Sequence, residues 1–188
     1  MKTKLFPATL LAFLAFAALP AARAGQFDIY GPSRSGAFGT NVTVLPNGNF
    51  VVTDPGYDAA GPIADVGAVH LYDGVTLALI STLTGSTAND QVGNGGITVL
   101  SNGNYVVRSY LWHNGAAADA GAVTWGSGTS GVTGAVSAFN SLVGSAAGDR
   151  VGYYGVTALA NGNYVVRSIY WDNGAVADAG AVTWCSSP

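Results

Sequence analysis

The chain has one cysteine, Cys185, and no glutamate. A single thiol excludes an internal disulfide and a cysteine-based metal site. An unpaired thiol in an exported chain could bridge to another molecule, but the simpler reading gives Cys185 no role. Lysine is confined to Lys2 and Lys4, and histidine to His70 and His113. Glutamate and lysine favour helix, so their scarcity removes the usual material of a helix surface. Beyond Leu19 there is no apolar run long enough to span a bilayer. Walker loops, HExxH and CxxC are all missing.

The N-terminus carries a different signal. Lys2 and Lys4 precede an apolar stretch from Leu5 to Leu19, and Ala22-Arg23-Ala24 has the small-x-small pattern of a cleavage site. Residues 1–24 are expected to be a signal peptide, with the exported chain starting at Gly25. The run is short for a membrane anchor and stops at Pro20. Beyond it, the four arginines Arg34, Arg108, Arg150 and Arg167 oppose ten aspartates, a net charge of −6. Nucleic acid and anionic membrane surfaces demand a basic patch, so neither is expected as a partner. The expected location is secreted, extracellular or on the cell surface, with the periplasm as the alternative. No membrane insertion is expected after signal removal.

What the chain does have is a repeat. Thr43-Val-Leu-Pro-Asn-Gly-Asn-Phe-Val-Val52 matches Thr98-Val-Leu-Ser-Asn-Gly-Asn-Tyr-Val-Val107 and Thr157-Ala-Leu-Ala-Asn-Gly-Asn-Tyr-Val-Val166, at offsets of 55 and 59. A second motif follows each copy: Asp65-Val-Gly-Ala-Val69, Asp119-Ala-Gly-Ala-Val123 and Asp178-Ala-Gly-Ala-Val182. A glycine pair precedes each: Gly31 and Gly39, Gly85 and Gly93, Gly144 and Gly152. Three motifs in one order, three times, define tandem units at about 31–84, 85–143 and 144–188.

Each unit reads as four antiparallel strands. Asn-Gly between two β-prone runs predicts a hairpin with a type I′ turn. Gly-Ala-Val opens the third strand. Asp73-Gly74 should turn the first unit into Val75-Thr-Leu-Ala-Leu-Ile80, and Val136-Ser-Ala-Phe139 should be the fourth strand of the second. Gln26 to Tyr30 stands where a fourth strand precedes Gly85 and Gly144. An all-β fold of β-propeller-like blades is expected, with residues 25–188 as the repeat domain. Three blades are too few for a ring, since propellers have roughly 4–8. Either the chain is a fragment of a longer array, or copies associate as a homo-oligomer, two chains giving six blades.

The units are loosely similar to FG-GAP blades of integrin-α-type propellers, which open on Phe-Gly, as Phe38-Gly39 does here, and carry a Gly-Ala-Val strand. That family's calcium loop corresponds here to Asn-Gly-Asn, too short for a cage of oxygen ligands, so no calcium is carried over. Asn-Gly-Asn-Tyr-Val-Val-Arg-Ser, Trp-Asp-Asn-Gly-Ala and Asp-Ala-Gly-Ala-Val-Thr-Trp more closely resemble repeats of bacterial surface and secreted proteins, some adhesin-like. That resemblance implies the bacterial exterior rather than a chemistry.

Candidate sites are few. Asp65, Asp119 and Asp178 read first as turn aspartates bonding their own backbone. A ring of cation-binding carboxylates is the sharper alternative, and no metal is expected. Arg108 and Arg167 read as blade-to-blade contacts. Trp125 and Trp184 lie within strands and are expected to pack between sheets. Tyr57, Trp112 and Trp171 lie in the long connections after the second strand, and are the chosen contact residues for an extracellular protein or carbohydrate, with core packing the competing role. Neither His70 nor His113 pairs locally with a nucleophile in a known motif. The expected function is a non-enzymatic structural, adhesive or binding module, without cofactor. Two alternatives are a polysaccharide-active enzyme using Asp54 or Asp58 and a calcium-dependent propeller.

Overall fold

The computed structural model describes residues 25–61 and 63–188; the expected signal peptide lies outside them. Among the described residues there is no helix, and twelve strands form three sheets, none closed into a barrel. The first sheet holds β1 (Asn41–Val44), β2 (Phe50–Asp54), β3 (Ala68–Tyr72) and β4 (Leu79–Thr84). The second holds β5 (Gly96–Val99), β6 (Tyr105–Ser109), β7 (Ala122–Gly126) and β9 (Ser141–Val143). Between them in sequence, β8 (Gly134–Ala135) crosses back to pair in parallel with β4. The third sheet is β10 (Val156–Ala158), β11 (Tyr164–Ser168) and β12 (Ala181–Cys185). All other strand pairs are antiparallel. The fold is all-β, and its sheets are consistent with repeated blades.

The hairpin turns differ from the expected type. Gly48 bonds back to Leu45 O at 2.9 Å, and Leu45 N to Asn49 O at 2.8 Å. Only the glycine has positive φ, 89°. This is a three-residue loop, a type I turn closed by a glycine bulge, not type I′. Pro46 supplies the fixed φ that position needs. Gly103 and Gly162 repeat the pattern. The fourth strands are also displaced. Asp73 Oδ1 accepts from Val75 N and Thr76 N at 2.9 and 2.7 Å, holding residues 75–78 in the turn, so β4 starts at Leu79. Val136 to Phe139 lies between β8 and β9 rather than in a strand, and residues 26–30 form none.

Alternation along the strands gives each sheet two faces. Register places Val42, Val52 and His70 on one face of the first sheet, and Val51, Val69 and Leu71 on the other. The second face packs on the first face of the next sheet. Val51, Val69, Leu71 and Leu83 join Tyr105 and Val107 in one core cluster, with Ile97 and Val99 against it. Val106 and Val123 join Tyr164 and Val166 in another, with Val156 against it. The core is therefore two seams between stacked blades, because a four-stranded sheet cannot bury both faces alone.

Candidate functional site

The polar residues that recur are the ones that close these seams. Each connection between units docks on the Asp-Val/Ala-Gly of the unit before it. Gln91 N, Val92 N and Gly85 N bond to Asp65 O, Val66 O and Gly67 O at 3.0–3.1 Å. Arg150 N, Val151 N and Gly144 N bond to Asp119 O, Ala120 O and Gly121 O at 3.0–3.1 Å. Asp65, Asp119 and Asp178 all stand at φ of 50–52°, a left-handed conformation that aspartate tolerates better than most residues, whether or not a connection docks on them. Among the described residues, no three His, Cys, Asp or Glu side chains gather as a metal-ligand set.

The carboxylates inside the seams are Asp90 and Asp149. Asp90 is fully buried, and its Oδ2 accepts from Ser86 N and Thr87 N at 2.9 and 2.8 Å. Its Oδ1 accepts from His113 N at 3.0 Å and lies 3.1 Å from His113 Nδ1. Asp149 repeats this with Ser145 N, Ala146 N and Asp172 N at 2.7–2.9 Å. The first connection has Gly36 in the corresponding part of its turn. There Asp54, at the end of β2, substitutes: it is fully buried and accepts from Ser35 Oγ and from Ala37 N. Asp58 accepts from Asp65 N at 2.9 Å. Both carboxylates weighed for catalysis are thus engaged in holding turns.

At the opposite end of the sheets, the asparagines of Asn-Gly-Asn link neighbours. Asn104 Oδ1 accepts from Gly128 N within its own unit, while Asn47 and Asn49 of the preceding unit donate Nδ2 to Gly128 O at 2.8 and 3.0 Å. One seam later, Asn102, Asn104 and Trp125 all donate to Ser187 Oγ.

The three residues chosen from sequence are not brought together as an exposed set. Trp112 is 5% exposed and belongs to the first core cluster, so it cannot meet a partner from solution without unpacking. Trp171 is half-buried and packs on the second cluster. Tyr57 is half-buried, edge-on to His70 at 6.3 Å between ring centres. Trp184 is the reverse case: expected between sheets, it is 59% exposed. Cys185 is half-buried, and burial pushes its thiol up, away from reactive thiolate.

Sequence reasoning missed a cluster of tyrosines. Tyr153 stands edge-on to Tyr110 and Tyr154, both at 4.9 Å, and 6.1 Å from Tyr170. Tyr154 and Tyr170 share a hydrogen bond between hydroxyls at 2.9 Å, which raises the Tyr154 phenol above its ordinary value. Arg167 lies 5.7 Å over the Tyr154 ring and donates Nη2 to Tyr154 O at 2.8 Å. Tyr153 is 41% exposed. The signal available in the sequence was that Tyr153-Tyr154 breaks the repeat, standing where the second unit has Asn94-Gly95.

An all-β stack of tandem units, joined through backbone and recurring Asp, Asn and Gly, defines a repeat protein. The model of a family described as "Repeat of unknown function (DUF5650)" matches residues 44–94, 99–153 and 158–188, and the chain belongs to that family. No curated protein matches the chain.

Proposed function

We propose that the chain is an exported, non-enzymatic binding module of the bacterial exterior, and that it holds carbohydrate on the tyrosine cluster. The carrying observation is the convergence of Tyr110, Tyr153, Tyr154 and Tyr170, with Arg167 beside them, on rings 4.9–6.1 Å apart. Tyrosines offer rigid apolar faces for the C–H faces of a sugar, and hydroxyls for its polar edge. The tyrosines of the cluster do not recur, whereas the recurring asparagines of the first two units are occupied in the seams. The export signal read from residues 1–24 and the likeness to repeats of bacterial surface proteins support the location.

The test is titration of the purified chain with polysaccharides of bacterial surfaces, followed by tyrosine fluorescence and calorimetry. Tyr153→Ala should weaken binding at least tenfold at an unchanged melting temperature. Binding unaltered by Tyr153→Ala and Tyr110→Ala would remove the cluster from the function. Cleavage of the polysaccharide, lost in Asp58→Asn, would favour the enzyme reading instead.

A further inference from the structure

We infer that this chain associates head to tail with a second copy of itself, the outer face of its third sheet receiving the first unit of its neighbour. The inference does not rest on the carbohydrate reading, although Arg167, beside the tyrosine cluster, also lines the hollow that the neighbour fills. It stands on a comparison the repeat makes available: the same joint occurs twice inside the chain, and both of its halves occur once more, unjoined.

One half is on the third sheet. Val69 and Val123, buried in the two internal seams at 2% and 0% exposure, correspond to Val182 at 74%. Val66 and Ala120, both fully buried under the next connection, correspond to the exposed Ala179. The backbone acceptors used twice internally, at Val66 and Ala120 and at Gly67 and Gly121, correspond to Ala179 O and Gly180 O, which take no backbone donor among the described residues. An open hollow of about 390 Å³ lies there, over Ile169, Gly180 and Val182. Glycine geometry agrees. A Cβ on Gly67 would stand 2.6 Å from Gln91 C, and one on Gly121 2.6 Å from Val151 O, whereas on Gly180 the nearest atom is 3.5 Å away. The place occupied by the next connection in two units is open in the third.

The other half is on the first unit. Ile97 and Val99, packed on the first core cluster, correspond to Val42 and Val44, exposed at 58% and 69%. Gly85 N and Val92 N, which donate across the first seam, correspond to Gly31 N and Phe38 N, which have no acceptor among the described residues. At the far end of the sheets, Asn161 and Asn163 correspond to the asparagine pairs that donate to the next unit. Their side-chain amides donate to nothing described, and the matching acceptor is the exposed Gly74 of a neighbour. Unspent acceptors and apolar residues on one face thus meet unspent donors and apolar residues on the other. Because the two patches differ, the contact is heterologous and closes into a ring or extends. A further repeat, whether in a longer form of this chain or in another chain, is the competing occupant.

The test is light scattering of the purified chain under reductant, which silences Cys185, with Val182→Asp and Val44→Asp. Both side chains point to solvent, so each variant should keep its melting temperature in dilute solution. The chain alone should form oligomers, and each variant alone should be a monomer, its association weakened at least tenfold. A mixture of the two variants should form a one-to-one dimer and nothing larger, since one copy offers an intact third-sheet face and the other an intact first-unit face. A monomeric wild-type chain at high concentration would overturn the inference and favour a further repeat, of a longer form of this chain or of another chain, as occupant. Loss of association with Val182→Asp but not Val44→Asp would also overturn it, by showing like faces pairing.

Discussion

Substituting alanine at Gly67, Gly121 and Gly180 in turn measures what a seam is worth. The three positions are repeat equivalents with φ of 75°, 77° and 75°. An L side chain in that region costs about 1–2 kcal/mol at each, so this contribution cancels in the comparison. What differs is the neighbour. At Gly67 the methyl would press into Val92 N and Gln91 C, and at Gly121 into Val151 N and O, all backbone atoms held by the seam bonds. Forcing the connection aside costs about 1–3 kcal/mol by overpacking. The displaced Val92–Val66 or Val151–Ala120 hydrogen bond adds about 1 kcal/mol. At Gly180 neither applies. Gly67→Ala and Gly121→Ala should each lose about 3–6 kcal/mol, and Gly180→Ala only about 1–2 kcal/mol. Urea unfolding followed by tryptophan fluorescence reads this, in the Val44→Asp background so that association does not contribute. Equal losses at all three positions would refute the reasoning, because the cost would then be backbone strain alone.

Two further substitutions probe the interior. Asp90→Ala leaves the amides of Ser86, Thr87 and His113 without their acceptor in a buried turn, and should cost about 3–5 kcal/mol in chemical denaturation; a loss below about 1 kcal/mol would show that water replaces the carboxylate freely. His70 is buried, and burial holds its imidazole below the ordinary value, with Asp54 pulling the other way. The unfolded chain therefore takes the proton first, and stability contributed by neutral His70 is present above about pH 6.5 and lost as pH falls toward the lower folded value. His70→Thr installs the residue found at Thr124 and Thr183, opposite Thr82, and should flatten the dependence of melting temperature on pH between about 5 and 7. Identical pH profiles would refute this assignment.

The repeat and its strands were legible because they rest on local chemistry: Val-Val runs, Gly-Ala-Val starts and glycines at turns. β2, β6 and β11, and β3, β7 and β12, fall on those motifs. The misplaced fourth strand has a local cause that composition hides. Val75 and Thr76 have the branched side chains of a strand, but Asp73 captures both their amides, and Leu77 sits at φ 60°. The turn type was misread because Asn-Gly alone does not fix loop length; Pro46 already favours a type I turn. The exposure of Trp112 and Trp184 was inverted because it depends on the neighbouring sheet, which strand position does not report. The tyrosine cluster was illegible for a related reason. Its members come from the ends of two strands and from one connection, and only the stacking of the second and third units brings them together.

The division between recurring and non-recurring residues has a physical basis. A residue that meets the backbone of the next unit meets the same atoms in every unit, so its role fixes its type. Gly67 and Gly121 admit no side chain, and Asp90 and Asp149 close identical turns. The first unit illustrates the rule by its exception. Its connection, residues 31–39, rests on no preceding sheet among the described residues, and there the turn aspartate is gone. Asp54 reaches in from β2 where the other units have Ser109 and Ser168, bonding Ser35 and Ala37 in its place. Acceptor and donors both change, so what the arrangements share is a buried carboxylate bonded into the turn rather than a particular residue position. Recognition of a ligand carries no such constraint from unit to unit. A ligand-specific surface on this scaffold is therefore to be sought where the repeat fails, and among the aromatic residues it fails most visibly at Tyr153 and Tyr154.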